Sequence, residues 1–350
     1  MKKHTLFTCF FSLVTFGIWA QNSKVQFQLF GHIQYNLDQM NTERNSYFST
    51  GEQDLFVTSQ IHERITFLGE TVVKYDAATS AKFAPSIERA QIKFDLNNHH
   101  SIIFGKMHTP LNYWNDVFHH GRLFFPTIDR PNALNTLVPL HTLGIRMQGQ
   151  NMGDLNFGYD VVVGNGISST DVYDANTNKA VAVGMHIKPM EGVRLSTSYY
   201  NDYLPTNKPG VHSGHSGIVS AYKGALNFEM YSASVAAFMS KWEFLNEFGY
   251  NTTTTDSLGV AHNLTNFTYL GVRVNDNVTP YYVIDLTNMS DKDLHTTATD
   301  AYKMAVGCRY EFNERCIVKA QIEQFRSGMG HQHESHVPRY DFKFQLAYGF

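Results

Sequence analysis

Charge is scarce in this chain. Asp, Glu, Lys and Arg make up only 17% of the 350 residues, against roughly a quarter in an average soluble domain, which excludes an extended acidic or basic disordered protein. Neither sign dominates: the formal net charge is −3, and no basic patch of the size nucleic acid demands is present, so no nucleic-acid partner is expected. Long apolar runs are missing after residue 19, and the mean hydropathy of −0.29 is that of a polar chain, which excludes a bundle of transmembrane helices. Cysteine is nearly absent. Beyond Cys9, only Cys308 and Cys316 occur, which is no disulfide framework, and a bridge between them needs neighbouring strands of one hairpin. Catalytic signatures are missing too: there is no G-x-S-x-G, no H-E-x-x-H and no glycine-rich phosphate loop before a helix. Ser213 lies beside His212 and His215, but a serine whose base is not held by a third group is not a triad. No enzyme and no cofactor are expected.

What is abundant is aromatic: 26 Phe and 19 Tyr against 3 Trp, a strand-forming and interface-seeking mixture. The first twenty residues are set apart. Lys2 and Lys3 precede an uncharged apolar stretch from Leu6 to Trp19, and Ala20 supplies a small residue before Gln21. That is the pattern of a cleaved export signal, and the run is short for a membrane anchor of ~20 residues. The expected domains are a signal peptide, 1–20, and one mature domain, 21–350.

The mature chain alternates. Phe342, Phe344, Leu346, Tyr348 and Phe350 fall on one face of an extended chain, and Asp341, Lys343, Gln345, Ala347 and Gly349 on the other. Val25, Phe27, Leu29, Ile33 and Tyr35 repeat the pattern, as do Val318, Ala320 and Ile322, and Val181, Val183, Met185 and Ile187. A water-facing sandwich gives the same period, so the connections decide. Short gaps are expected at 62–64, 97–100, 150–153, 189–192, 223–225, 275–278 and 312–315. Longer polar ones are expected at 39–51, 76–86, 109–140, 165–178, 204–214, 241–263, 289–297 and 327–337. Short turns at one end and long loops at the other predict an all-β fold: a transmembrane, antiparallel up-and-down barrel of about 16 strands, within a range of roughly 14 to 18. Tyr222 to Trp242 and Thr265 to Asn288 alternate poorly, which is why the count is a range.

A closed barrel accounts for the composition. About 9–11 residues span a bilayer per strand, every other one apolar, so the chain is polar on average while leaving no backbone edge in hydrocarbon. By parity the lumen-facing set includes Arg89, Lys93, Lys106, Arg146, Asp160, Arg194, Arg309, Glu311, Lys319, Glu323 and Lys343. These either line a passage or pair across strands for stability alone.

Two stretches, IERAQIKFDLNNHHSIIFGKMHTPLNYWND and GCRYEFNERCIVKAQIEQF, resemble the porin-like barrels of Gram-negative outer membranes, close to the phosphate-selective porin type. The terminal RYDFKFQLAYGF, with Tyr348 and Phe350 two apart, resembles the insertion signal of such barrels. The resemblance implies an outer-membrane location, lipid and the barrel assembly machinery as partners, and a homo-oligomer. Phe104-Gly105-Lys106 followed by Thr109-Pro110 corresponds to the family's strand leading into its long third loop. The family's dense ladder of arginine and lysine is not evident here, which sets phosphate selectivity aside.

In porins that loop folds into the lumen and narrows it, so the resemblance implies a constriction built from 109–140 and the adjoining His108. The candidates are His108, Trp114, Asp116, His119, His120, Arg122, Asp129 and Arg130, with Arg122 and Arg130 facing Asp116 and Asp129 across the opening. A loop folded outward is the alternative. His331, His333 and His336 with Glu334, and His212 with His215, could hold Zn or Cu, but their spacings match no defined site and no metal is assigned. The expected function is passive diffusion of small hydrophilic solutes or ions. A non-conducting surface, structural or adhesion protein is the alternative. A plug-bearing transporter is excluded because the strand pattern starts at Lys24.

Overall fold

The computed structural model describes residues 25–40, 43–75, 82–118, 121–167, 173–174, 176–204, 225–295, 299–327 and 338–350. The expected signal peptide, His119, His120, His212, Ser213, His215, His331, His333, Glu334 and His336 lie outside the described residues.

Strand follows strand in chain order: β1 (Val25–Met40), β2 (Glu43–Ser49), β3 (Glu52–His62), β4 (Ile65–Tyr75), β5 (Phe83–Asp95), β6 (His100–His108), β7 (His141–Met152), β8 (Phe157–Gly164) and β9 (Ala180–Met190). The series continues with β10 (Val193–Leu204), β11 (Leu226–Phe238), β12 (Trp242–Thr255), β13 (Gly259–Val272), β14 (Val278–Asn288), β15 (Ala301–Asn313), β16 (Cys316–Ser327) and β17 (Arg339–Gly349). Each pairs antiparallel with its neighbours, and β1 closes the ring on β17 with Tyr35 opposite Phe344. Both β2 and β3 pair with β1, the register slipping by one residue between Gln34↔Ser49 and Gly31↔Gln53. Gly51, at φ +59°, sits at that slip, where a Cβ would strike the His32 ring at 2.2 Å. β2 and β3 therefore act as one bulged strand, and the fold is a closed antiparallel barrel of 16 strands.

Seven short connections, among them 63–64, 96–99, 153–156 and 191–192, gather at one end, and both β1 and β17 have their outer termini there. Phe350 seals that end, its N–H donating to the Leu29 carbonyl and its carbonyl accepting from Leu29 N–H. Three expected connections need correction. The first long one, 39–51, is mostly strand, because β1 and β2 stay paired out to Met40↔Glu43. The short turn expected at 223–225 lies instead at 239–241, and 241–263 is not a loop but β12, a tight turn and β13. The reason is visible at Thr252–Thr255: these polar residues extend β12 through a full ladder with β13, each backbone group paired, although no apolar alternation marks them.

The outer face is apolar. Ile33, Leu55, Ile92, Val161, Val235 and Ile322 stand exposed along it. Aromatic pairs flank this band at both rims: Tyr35–Phe48, Tyr75–Phe83 and Tyr199–Tyr231 toward the long connections, Phe94–Phe104, Tyr310–Phe312 and Tyr348–Phe350 toward the short turns. The packed core lies inside the ring, where segment 109–140 meets the inner wall.

Candidate functional site

Segment 109–140 bonds to β3, β10, β14, β15, β16 and β17. A chain that touches walls so far apart around a closed ring lies within it. The neck is tied: Thr109 N–H donates to the Leu140 carbonyl at 3.0 Å, and Asn115 Nδ2 donates to both the Thr109 and Leu140 carbonyls at 3.0 and 3.1 Å. Below the neck the chain turns through a single π-helical turn, Trp114–Phe118, and later a single α turn, Ala133–Thr136.

Leu111, Trp114, Phe125, Leu134 and Val138 face Tyr200, Phe228, Leu245 and Phe267 of the wall. Trp114 is fully buried, with Phe125, Phe118 and Phe267 rings at 5.1, 5.2 and 5.3 Å, and its backbone N–H donates to Glu247 at 2.8 Å. The wall makes room with small residues. Ala180, Ala182 and Gly184 line the inner face of β9, and a Cβ at Gly184 would come within 2.9 Å of the Pro110 carbonyl.

Charges fix the remainder. Asp116 accepts from Arg194 at 2.6 Å and lies 3.6 Å from Arg146, which also holds Asp160 at 2.7 Å. Burial alone would raise the Asp116 carboxyl, but Arg194 and Arg146 beside it hold it below the usual range. Asp129 accepts from Lys343 at 2.9 Å and from Gln321 at 3.0 Å. Burial opposes its ionisation as well, and Lys343 and Lys303 overcome that and hold it far below ordinary carboxylates. Arg122 and Arg130 reach the same group, Glu52, at 3.5 and 3.0 Å, while Lys319 donates to the Arg122 carbonyl at 2.6 Å. The expected opposition of Arg122 and Arg130 to Asp116 and Asp129 therefore gives way to pairing with the wall, because each loop charge meets a wall charge of opposite sign: Glu52, Arg194 or Lys343.

Of the other candidates, His108 ends β6 at the neck, its Nε2 3.9 Å from Glu70 and its ring 5.2 Å from His141, which lies 3.1 Å from Glu88. Arg89 pairs with Glu70 and stacks over Phe56; Lys106 donates to the Ile87 carbonyl; Lys93 pairs with Asp95 near the short turns at 3.0 Å. Arg309 joins Glu243 and Glu311 at 2.8 and 2.7 Å, and Lys343 also holds Glu323 at 2.7 Å. Sequence reasoning missed the wall acids Glu52, Asp54, Glu247 and Asp285. The inner parity of β3 marks the first two; Glu247 lay in a stretch read as loop, and Asp285 in one whose alternation was poor.

The segment separates two cavities. One, of about 480 Å³, opens among the long connections and includes His32, Gln34, Tyr47, Arg122 and Lys343. The other, of about 580 Å³, opens at the short-turn end and includes Tyr113, Val117, Glu191, Arg194 and Phe238.

No family model and no curated protein matches the sequence. Solved structures do match in shape. The anion-selective porin from Comamonas acidovorans superposes with a TM-score of 0.67 at 9% identity, over 93% of this chain and all of that one. The outer-membrane channel DcaP of Acinetobacter baumannii gives 0.63 at 10% identity, covering 93% and 97%. The trimer form of OmpT, an outer membrane protein of Vibrio cholerae, gives 0.60 at 9% identity, covering 93% and 99%. The architecture is thus a porin-like β-barrel.

Proposed function

We propose that the chain is an outer-membrane channel for passive diffusion of small hydrophilic solutes, with segment 109–140 as its constriction. The observation that carries this reading is the position of that segment: inside a closed barrel, between a cavity at each end, held by charge pairs rather than by the barrel's own ladder. The apolar outer band between two aromatic rims suits a bilayer, and this supports an outer-membrane location with lipid as partner. In this reading residues 1–20 direct export, and the barrel assembly machinery engages the terminal strand through Tyr348 and Phe350. The trimer form of a shape neighbour supports self-association.

Single-channel recording in a planar bilayer tests the reading. The expected result is discrete conductance steps, and larger steps when the segment is shortened between residues 114 and 131. If neither parent nor shortened variant conducts, the surface-structural reading replaces it. That second reading draws on one observation: the segment is anchored around much of the ring, with Lys319 and Trp114 entirely shielded from solvent.

A further inference from the structure

We propose that the cavity at the long-connection end is a binding site for a neutral, polyhydroxylated solute of monosaccharide to disaccharide size. This rests on the channel reading, of which it would be the outer waiting site.

The first argument is charge. Of the four cations that line this cavity, Arg122, Arg339 and Lys343 are already matched, and the fourth, Lys74, stands solvent-exposed at the end of β4. Arg122 lies 3.5 Å from Glu52, Arg339 bonds Asp341 at 2.6 Å, and Lys343 is shared between Asp129 and Glu323 at 2.9 and 2.7 Å. At the three paired cations an incoming anion would have to displace a carboxylate already in place and leave it unpaired, and the solvated Lys74 alone offers little to hold one. A neutral polyol meets no such competitor. Each paired carboxylate keeps lone pairs free, having about four acceptor sites in all, and hydroxyls donate to these without breaking the ion pair.

The second argument is the rest of the lining. Gln34 and Asn36 place two planar amides on the wall, Gln34 Nε2 donating to Asn36 Oδ1 at 2.6 Å, and the buried Gln345 braces them, its Nε2 donating to Gln34 Oε1 at 3.0 Å. Amides offer donors and acceptors side by side, which matches vicinal hydroxyls. Tyr47, on the adjoining strand, is 47% exposed, and its hydroxyl is tethered to Asp38 at 3.0 Å. Its ring is thereby presented as a flat apolar face, against which the C–H face of a sugar ring can lie. The third argument is size. At about 480 Å³ the cavity falls within the range of small-molecule sites, roughly 300–1,000 Å³.

The site is testable without transport. Detergent-folded protein is titrated calorimetrically with sucrose, with inorganic phosphate and with glycine, at low and at high salt. The expected result is saturable sucrose binding that high salt leaves unchanged, since no net charge is recognised. Tyr47→Ala and Gln34→Ala should each weaken it about tenfold while the heat-dependent gel shift of the folded barrel stays intact. Binding of phosphate that weakens with salt, with none of sucrose, would overturn the proposal, as would binding of glycine in preference to sucrose or sucrose binding that neither substitution alters. Conductance recorded on the same preparation is read separately. A conducting barrel that ignores sucrose refutes this site and leaves the channel standing; sucrose binding to a barrel that never conducts refutes the channel and leaves the site.

Discussion

Replacing Trp114 by alanine tests what holds the inward segment in place. The side chain is wholly buried and touches three phenylalanines, two from its own segment and one from β13. An indole of this kind removes on the order of 200 Å² from water, worth about 5 kcal/mol at ~25 cal/mol per Å². Measured Trp-to-Ala losses, about 3–5 kcal/mol, bracket that figure. Trp114 takes no part in the strand ladder, so the loss falls on docking of the segment and not on barrel closure. At roughly 1.4 kcal/mol per tenfold change, about 3–5 kcal/mol should lower the docked population relative to the undocked one by a factor of about 10²–10⁴. The variant should still migrate as a folded barrel before heating. In a planar bilayer its conductance should rise and become noisier, and liposomes carrying it should swell faster in larger sugars. A conducting parent whose conductance is unchanged in both Trp114→Ala and Phe125→Ala would refute the idea that this packing sets the constriction.

Three further outcomes are expected. Arg122→Gln with Arg130→Gln removes two cations beside Glu52, so reversal potentials in a salt gradient should move toward cation preference, more at 10 mM salt, where screening reaches ~30 Å, than at 100 mM, where it reaches ~10 Å; adding Glu52→Gln should undo the shift. His295, in connection 289–300, is buried against Phe228 at 4.4 Å, and burial pushes its imidazole from 6.5 down to about 3. Because the folded value lies below the unfolded one, its neutral packing contributes fully above pH 6.5 and is lost as pH falls, by about 2 kcal/mol at pH 5; proteolysis at 289–300 should quicken between pH 7 and 5 in the parent and not in His295→Asn, and equal pH dependence in both would refute the assignment. Deleting Phe350 removes the backbone exchange with Leu29 and should lower the yield of assembled barrel, measured by the heat-shifted fraction on gels.

Alternation was enough for the wall. At 341–350 and 318–323 the period-2 pattern assigned each residue to its face, because one face meets the packed interior and the other does not, and a slip of one residue would reverse both. It failed between 223 and 263, where the apolar residues of β11 change face, inward at Leu226, Phe228 and Met230 to meet the inward segment and outward at Tyr231, Ala233 and Val235, and where β12 ends in a run of threonine. The same packing explains what was hidden in the site. Length alone marked 109–140 as unusual. Its charge partners were not legible, since Glu52 lies 78 residues upstream of Arg130 and Lys343 lies 214 downstream of Asp129, and only ring closure brings them together.

The pairing of β1 with β17 has a consequence for how the molecule comes into being. The partner of the strand synthesised first is the strand synthesised last, as the contact between Gln34 and Gln345 across 311 positions records. No intermediate length of chain can close. A chain stopped anywhere before β17 leaves two ladders open, and open ladders invite pairing with any other extended chain nearby. Contacts this distant in sequence also make folding slow. The chain therefore stays an unclosed strand set until β17 finds β1, and its barrel is an event that happens once, at the end.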